Sequence, residues 1–366
     1  MSRVLLLANH SMSIYNFRLE LVERLLSDGH TVMICSPYGE AIDKLTKLGC
    51  EYYPIEISRH GTNPIKDLKL LSDYKKLIKK TNPDVVFTYT IKPNIYGSMA
   101  CKRYKVPCVV NITGLGTAVE NGGILQKVTV FLYKTALKRV KRVFFQNQEN
   151  MQFFIDKKIA LGKHDLLPGS GVNLERFTPI EYPSEETTEF VFISRIMKEK
   201  GVDQYFDAAK SIKEKYPNTK FHVCGFCEDS YEEELKKYED DGIVIYHGLV
   251  SDVREIIKNC HCTVHPTYYP EGMSNVLLES SACARPIITT DRSGCREVID
   301  DGINGFVVKQ KDSADLIKKI EKFIALPYEE KLQMGLNGRA KVEKEFDRQI
   351  VVEKYIGEIK NIAIGK

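Results

Sequence analysis

Short apolar, β-branched runs alternate with stretches of helical period along this chain, and no other feature restricts its fold so far. VLLLAN (4–9), TVMICS (31–36), DVVFTYT (84–90), CVVNIT (108–113) and RVFFQN (142–147) are separated by segments such as FRLELVERLLSDG. Strand and helix in strict succession imply a parallel sheet covered by helices. A turn-rich stretch, LLPGSGVNLERFTPIEYPSEETTE (166–189), interrupts the pattern, which then restarts with FVFISR, KFHVCG, IVIYHG, CTVHPT, PIITTD and GFVVK. At 366 residues two domains are expected. The reading is an α/β chain of two doubly wound domains, 1–170 and 171–349, with a final helix, about 350–366, free to pack back onto the first. In such sheets ligands bind beyond the carboxyl ends of the strands.

The opening MSRVLLLANH has neither a long apolar core nor a small-residue cleavage site. No later stretch approaches the roughly 20 apolar residues of a membrane span. A cytoplasmic location is expected. Ten cysteines are scattered through strand-like runs (Cys35, Cys108, Cys224), the usage of buried small hydrophobes in a reducing compartment. The net charge of +4 conceals an asymmetry: residues 1–170 hold 25 Lys+Arg against 14 Asp+Glu, and residues 171–366 hold 28 against 35. A basic half suits a phosphorylated substrate or an anionic membrane. Nucleic acid is disfavoured, because no aromatic-rich basic platform or helix-turn-helix pattern accompanies the charge.

In the second half, CTVHPT runs into YYPEGMSNVLLESSACARP, where Pro270 and Gly272 break the chain and SNVLLESSAC reads as a helix. Glu271 then precedes the helix and Glu279 lies about two turns into it. Free N–H groups from Gly272 to Asn275 would form an anion site at the helix start. Two carboxylates separated by seven residues cannot share a proton, so they suit different hydroxyl groups of one ligand. In FVFISRIMKEKG, Arg195 ends a strand and Lys200 precedes Gly201, a pair of cations that matches a diphosphate. A solvated helix carboxylate and a solvated charge run are the plain alternatives to these two readings.

Together the segments resemble family 4 of the glycosyltransferases, retaining enzymes of the GT-B fold with two Rossmann-like domains facing each other across a cleft. EGMSNVLLE is similar to that family's E-x7-E element and SRIMKEKG to its Arg and Lys pair. HPTYYPEGMSNVLLES, RPIITTDRSGCREVIDDGINGFVV, LPGSGVNLERF and NITGLGT resemble the branch that builds bacterial surface polysaccharides on lipid carriers. The resemblance implies transfer of a hexose or N-acetylhexosamine from a UDP-sugar to a polyprenyl-diphosphate-linked glycan, at the inner face of the cell membrane and without a metal. It implies that Arg195 and Lys200 neutralise the donor diphosphate, that Glu279 binds the ribose, and that Glu271 with Gly272, Met273 and Ser274 holds the sugar. Asn275, Val276 and Gly225 complete the implied donor site, and no protein nucleophile is implied.

The chain departs from the family where many members carry a histidine after the fourth strand; that place falls on Thr113 in NITGLG, beside Gly114. His10, Asn16 and Arg18 are acceptor-side candidates, with capping and surface exposure as their alternatives. Cys224 and Cys227 make a CxxC with Cys260, His261 and Cys262 further on, but not at the spacing of paired zinc turns, so no metal is expected. The segment ILQKVTVFLYKTALKRVKRV (124–143), taken as one helix, sets Lys127, Lys134, Lys138 and Lys141 on one face with Val130 and Phe131 at its edge. Leu125, Leu132, Ala136, Val140 and Val143 would face the sheet. That cationic face suits an anionic membrane surface. A nucleotide-sugar epimerase of the same fold and a non-catalytic nucleotide-sugar binding protein are the competing functions.

Overall fold

The computed structural model describes residues 1–57, 63–120 and 122–364. The chain divides into two compact units, Met1–Gly171 with Arg348–Lys366, and Val172–Asp347. The first holds seven parallel strands: β1 (Arg3–Leu7), β2 (Thr31–Ser36), β3 (Glu51–Pro54), β4 (Val85–Tyr89), β5 (Cys108–Ile112), β6 (Arg142–Phe145) and β7 (His164–Leu166). They are ordered β3-β2-β1-β4-β5-β6-β7. The second holds six: β8 (Thr188–Ile193), β9 (Thr219–Cys224), β10 (Ile245–Tyr246), β11 (Cys262–His265), β12 (Ile287–Thr290) and β13 (Gly305–Val308), ordered β10-β9-β8-β11-β12-β13. Each sheet winds outward in both directions from a central pair, β1 beside β4 and β8 beside β11. Those pairs are the switch points, where the loops leave the strands on opposite faces and open a crevice.

The strands read as unbroken apolar runs because both faces of each sheet are covered. In β1, Val4 and Leu6 pack toward the helices Ser11–Ser27 and Arg348–Ile364, while Leu5 and Leu7 pack toward the helices that follow β3, β4 and β5. The C-terminal helix is therefore part of the first unit's core. Its Tyr355 is 1% exposed, lies edge-on to Phe87 with ring centroids 4.9 Å apart, and accepts a hydrogen bond from Asn111 Nδ2 at 2.7 Å. Arg348 opens that helix with an ion pair to Glu20 at 2.8 Å.

The segment 124–143 is not one helix. The helix Gly123–Ala136 passes into a 3₁₀ turn, Leu137–Arg139, and Val140 is extended. Lys141 is already joining the sheet, its N–H donating to the Cys108 carbonyl at 2.8 Å. Lys138 and Lys141 thus leave the helical face assigned to them. The buried stripe is Thr129, Tyr133 and Ala136, and Leu125 is 41% exposed. Tyr133 turns the helix: its ring packs on Phe154 at 5.1 Å, and an aromatic of that area outweighs a leucine at the edge of the contact.

Truncating Tyr355 to Ala should destabilise the first unit by about 3–5 kcal/mol, the cost of removing a buried aromatic. Urea denaturation followed by circular dichroism measures it. A loss below about 1 kcal/mol would show that the C-terminal helix is not integral to that core.

Candidate active site

At the second unit's switch point, two loops interlock. After β8 the chain turns through Ser194–Met197 into a 3₁₀ turn, Lys198–Lys200, and closes on Gly201. After β11 it passes through Pro266–Pro270. The Glu199 carbonyl accepts from Tyr268 N–H at 2.9 Å and from the Thr267 hydroxyl at 3.3 Å. Gly201 has φ +80°, and a Cβ on it would stand 2.2 Å from the Pro266 carbonyl oxygen. Only glycine allows both that turn and that approach. The interlock buries the Lys200 side chain to 11% exposure beside Glu271, at 16%, and the two are ion-paired.

Arg195 remains half-exposed and pairs with Glu228 at 3.4 Å. Tyr269 joins the two cations: the Arg195 guanidinium lies 5.6 Å and the Lys200 ammonium 4.8 Å from its ring centroid. A ring quadrupole is one way to hold like charges near one another without neutralising them. Tyr269 was not marked as a site residue by sequence reasoning, although it sits two residues before Glu271.

A third loop, after β12, closes the other side. Gly294 has φ +89°, and a Cβ there would lie 2.9 Å from both Glu271 Cβ and the Gly272 carbonyl oxygen. Its own carbonyl accepts the Ser274 N–H at 2.8 Å. The run of free N–H groups expected from Gly272 to Asn275 is therefore interrupted, because the third loop uses Ser274. Glu297 braces this loop, accepting from Gly294 N–H at 2.7 Å and the Ser293 hydroxyl at 3.3 Å.

The helix Asn275–Ala282 starts one residue later than the pattern implied, and Glu279, half-buried, sits little more than one turn into it rather than the two turns expected. Gly272, Met273 and Ser274 are buried before it; Asn275 and Val276 are half-buried in its first turn. Gly225 is bound into neighbouring turns, its N–H donating to Gly248 O at 2.8 Å and its carbonyl accepting the Tyr246 hydroxyl at 2.9 Å.

Beneath the interlock His265 ends β11, fully buried, and neither ring nitrogen has a partner. Burial first, and the Lys200 ammonium second, push its pKa down to about 3. The imidazole is neutral here at physiological pH. It gives the base of the site bulk without adding a third positive charge.

The acceptor-side candidates lie in the first unit. His10 is the N-cap of helix Ser11–Ser27, its Nδ1 accepting from Met12 N–H at 3.2 Å. Asn16 is exposed, and its carbonyl accepts from Arg348 at 3.1 Å. Arg18 is 3% exposed, with its guanidinium 5.0 Å from the Tyr89 ring centroid and no carboxylate partner among the described residues. Its cation is interior, not displayed on the surface. Thr113 and Gly114 follow β5 and are half-buried. Sequence reasoning missed Thr90, which leaves β4 at the first switch point with φ +71°. A β-branched residue in the left-handed region is strained, and such strain gathers at binding sites. Among the described residues no group of three His, Cys, Asp or Glu is arranged to hold a metal, and all ten cysteines are free thiols.

Two family models match the chain in succession, "Glycosyl transferase 4-like" over residues 3–147 and "Glycosyl transferases group 1" over residues 176–341. A putative glycosyltransferase of Bacillus subtilis, EpsD, is 31% identical, with 83% of each chain covered. The N,N'-diacetylbacillosaminyl-diphospho-undecaprenol alpha-1,3-N-acetylgalactosaminyltransferase of Campylobacter jejuni is 28% identical over 97% of both chains. An Escherichia coli relative, UDP-Gal:alpha-D-GlcNAc-diphosphoundecaprenol alpha-1,3-galactosyltransferase, is 26% identical over 79% of this chain and 78% of its own. Among solved structures, Anabaena HepE, determined with UDP and glucose, superposes with TM-score 0.79 at 16% identity, covering 99% of this chain and 100% of that one. The doubly wound parallel domains are those of the GT-B architecture.

Because His265 is neutral in the folded protein and titrates near 6.5 when unfolded, acid favours the unfolded chain. Its share of stability is intact above about pH 6.5 and is lost progressively as pH falls toward about 3, at up to roughly 1.4 kcal/mol per pH unit. His265→Phe should make the wild-type fall between pH 6.5 and 4 in urea denaturation shallower, without loss at pH 7.5, the remainder including His222, His247 and His261, whose burial also pushes their pKa down. An unchanged slope would remove His265 as a source of the fall.

Proposed function

The chain belongs to the group 1 glycosyltransferases, with a 4-like first half, and from that premise we propose that it moves a sugar from a UDP-sugar to a polyprenyl-diphosphate-linked glycan with retention of configuration. The observation that carries the reading is the meeting of Arg195, Lys200, Tyr269 and Glu271 at the second switch point. Both cations are held by carboxylates that an incoming donor can exchange, Lys200 by Glu271 and Arg195 by Glu228. A diphosphate entering between them would take over both charges. Glu271 would then turn its carboxylate to hydroxyl groups of the sugar, and Glu279 to those of the ribose.

As the anomeric carbon–oxygen bond breaks, negative charge grows on the leaving phosphate, and cations fixed in advance stabilise it without rearrangement. The same two charges do what a divalent ion would otherwise do, so transfer is proposed to be independent of metal. The UDP donor is supported by the UDP held in Anabaena HepE and by the UDP-Gal in the Escherichia coli relative's name. The lipid-linked acceptor is supported by the diphospho-undecaprenol in the names of two relatives. A hexose or N-acetylhexosamine is the proposed cargo.

A docking reading at the inner face of the cell membrane rests on helix Gly123–Ala136. Its outer stripe carries Ile124, Val128 and Phe131, the last 66% exposed, between Lys127 and Lys134. Val130 is half-buried against the core and does not contribute. Apolar side chains open to water among lysines suit the headgroup layer of an anionic bilayer. The unit that bears them has 29 Lys+Arg against 16 Asp+Glu, while the other has 24 against 33. No helix among the described residues is long and apolar enough to cross a membrane.

Arg195→Ala and Lys200→Ala should each lower turnover of a UDP-sugar with a lipid-linked acceptor by about 10²–10³, with the fold retained by circular dichroism at the assay temperature and wild-type activity persisting in EDTA. Near-normal turnover of either variant, or a magnesium-restored loss in EDTA, would overturn the assignment. For the docking helix, Lys127→Glu with Lys134→Glu and Phe131→Ser should abolish sedimentation with anionic vesicles at low salt and leave UDP affinity unchanged. Wild-type sedimentation of that variant would place the membrane contact elsewhere.

A further inference from the structure

The first unit contains a cleft that the donor chemistry does not use. It has a volume of about 1070 Å³ and lies beyond the carboxyl ends of β2 and β3, against helix Pro64–Thr81. Cys35, Leu70 and Leu77 form its base, Tyr53 and Ile55 one wall, and Lys92, just past the strained Thr90, reaches it from the first switch point. We propose that this cleft binds the isoprenoid phosphate end of the acceptor carrier, an inference that rests on the lipid-linked reading above.

Three observations carry it. The interior is mainly aliphatic and aromatic, so a sugar or nucleotide would leave its hydroxyl groups poorly matched. The rim is cationic: Lys66, Lys69, Lys80 and Lys92 face Glu56, Asp67 and Asp73. Lys92 is committed to Asp67 at 2.9 Å, both largely buried, and the Lys80 ammonium lies 5.6 Å from the Tyr53 ring centroid. Lys66 has no carboxylate partner among the described residues, and Lys69 meets Glu56 only at 3.4 Å with both side chains exposed. A pair of that kind contributes little and yields readily to a phosphate. Finally, outside the cleft's own lining but on the same helix turns as Lys66 and Lys69, Ile65 and Leu68 are 79% and 65% exposed. Large apolar side chains open to water near Lys66, which has no carboxylate partner among the described residues, and the loosely paired Lys69 match an amphiphile, with its phosphate at the rim and its first isoprene units inside.

The sequence has no tryptophan, so Tyr38→Trp, at the exposed lip of the cleft, supplies a single fluorescent reporter. Farnesyl diphosphate should shift its emission to the blue, saturably and in the absence of donor; inorganic diphosphate at equal concentration should not. Adding Lys66→Glu and Lys69→Glu, or Ile55→Asp, should weaken the response at least tenfold while UDP binding by calorimetry stays unchanged. No shift with farnesyl diphosphate, an equal shift with inorganic diphosphate, or a shift only with isoprenoid-free anionic vesicles would overturn the proposal, the last by assigning this face to bulk lipid. The binding readout does not depend on turnover. In the transfer assay, Ile55→Asp should raise KM for a polyprenyl-linked acceptor and leave transfer to a tail-less glycosyl diphosphate unaltered. Absence of transfer by the wild type to either acceptor would sink the transferase reading alone.

Discussion

The second unit's site depends on one close contact, the seating of Gly201 against the Pro266 carbonyl. The Glu199 carbonyl completes the seat by taking hydrogen bonds from Thr267 and Tyr268. Without that seat the turn after β8 would have no reason to lie on the loop after β11, and Lys200 would be an ordinary surface lysine. With it, a cation is carried into a pocket with Glu271, above a neutral histidine and against an aromatic ring. Backbone contacts of this kind tolerate almost no added volume, so they fix geometry more tightly than side-chain packing alone.

The charges in that pocket are arranged for exchange. Burying an ion pair returns little net stability, because desolvation offsets most of the attraction. The Lys200–Glu271 pair is thus better understood as a cation stored with a temporary partner than as a fold-stabilising bridge. Arg195 and Glu228, half-exposed, form a looser pair of the same kind. His265 contributes by remaining uncharged: a protonated ring beside Lys200 would add repulsion where a diphosphate must be drawn in.

The first unit answers a different demand. Its core is closed by a helix from the far end of the chain, through Tyr355. Its strand exits carry a strained Thr90 and a cleft with apolar walls and a cationic rim, and an interior Arg18 on helix Ser11–Ser27 lies over the Tyr89 ring that ends β4. Exposed apolar side chains lie at the starts of helices Pro64–Thr81 and Gly123–Ala136, whose buried faces belong to one core cluster.

The sequence by itself determined the class of each unit, since both-sided burial writes every inner strand as an unbroken apolar run. It also marked Arg195, Lys200, Glu271 and Glu279 as candidates, through the likeness of SRIMKEKG and EGMSNVLLE to a family's elements, since their spacing alone also fitted solvated charges. It misplaced the lysine face after residue 136, where helical period persists in the letters but the chain is drawn into the next strand by a backbone hydrogen bond to Cys108. Tyr269, Gly294 and the Lys66 rim were invisible for a common reason: their roles depend on neighbours that are 20 or more residues away or on another element. Periodicity and spacing record what each segment prefers, whereas which loops meet, and which cation finds which ring or carboxylate, is decided only when the strands are ordered side by side.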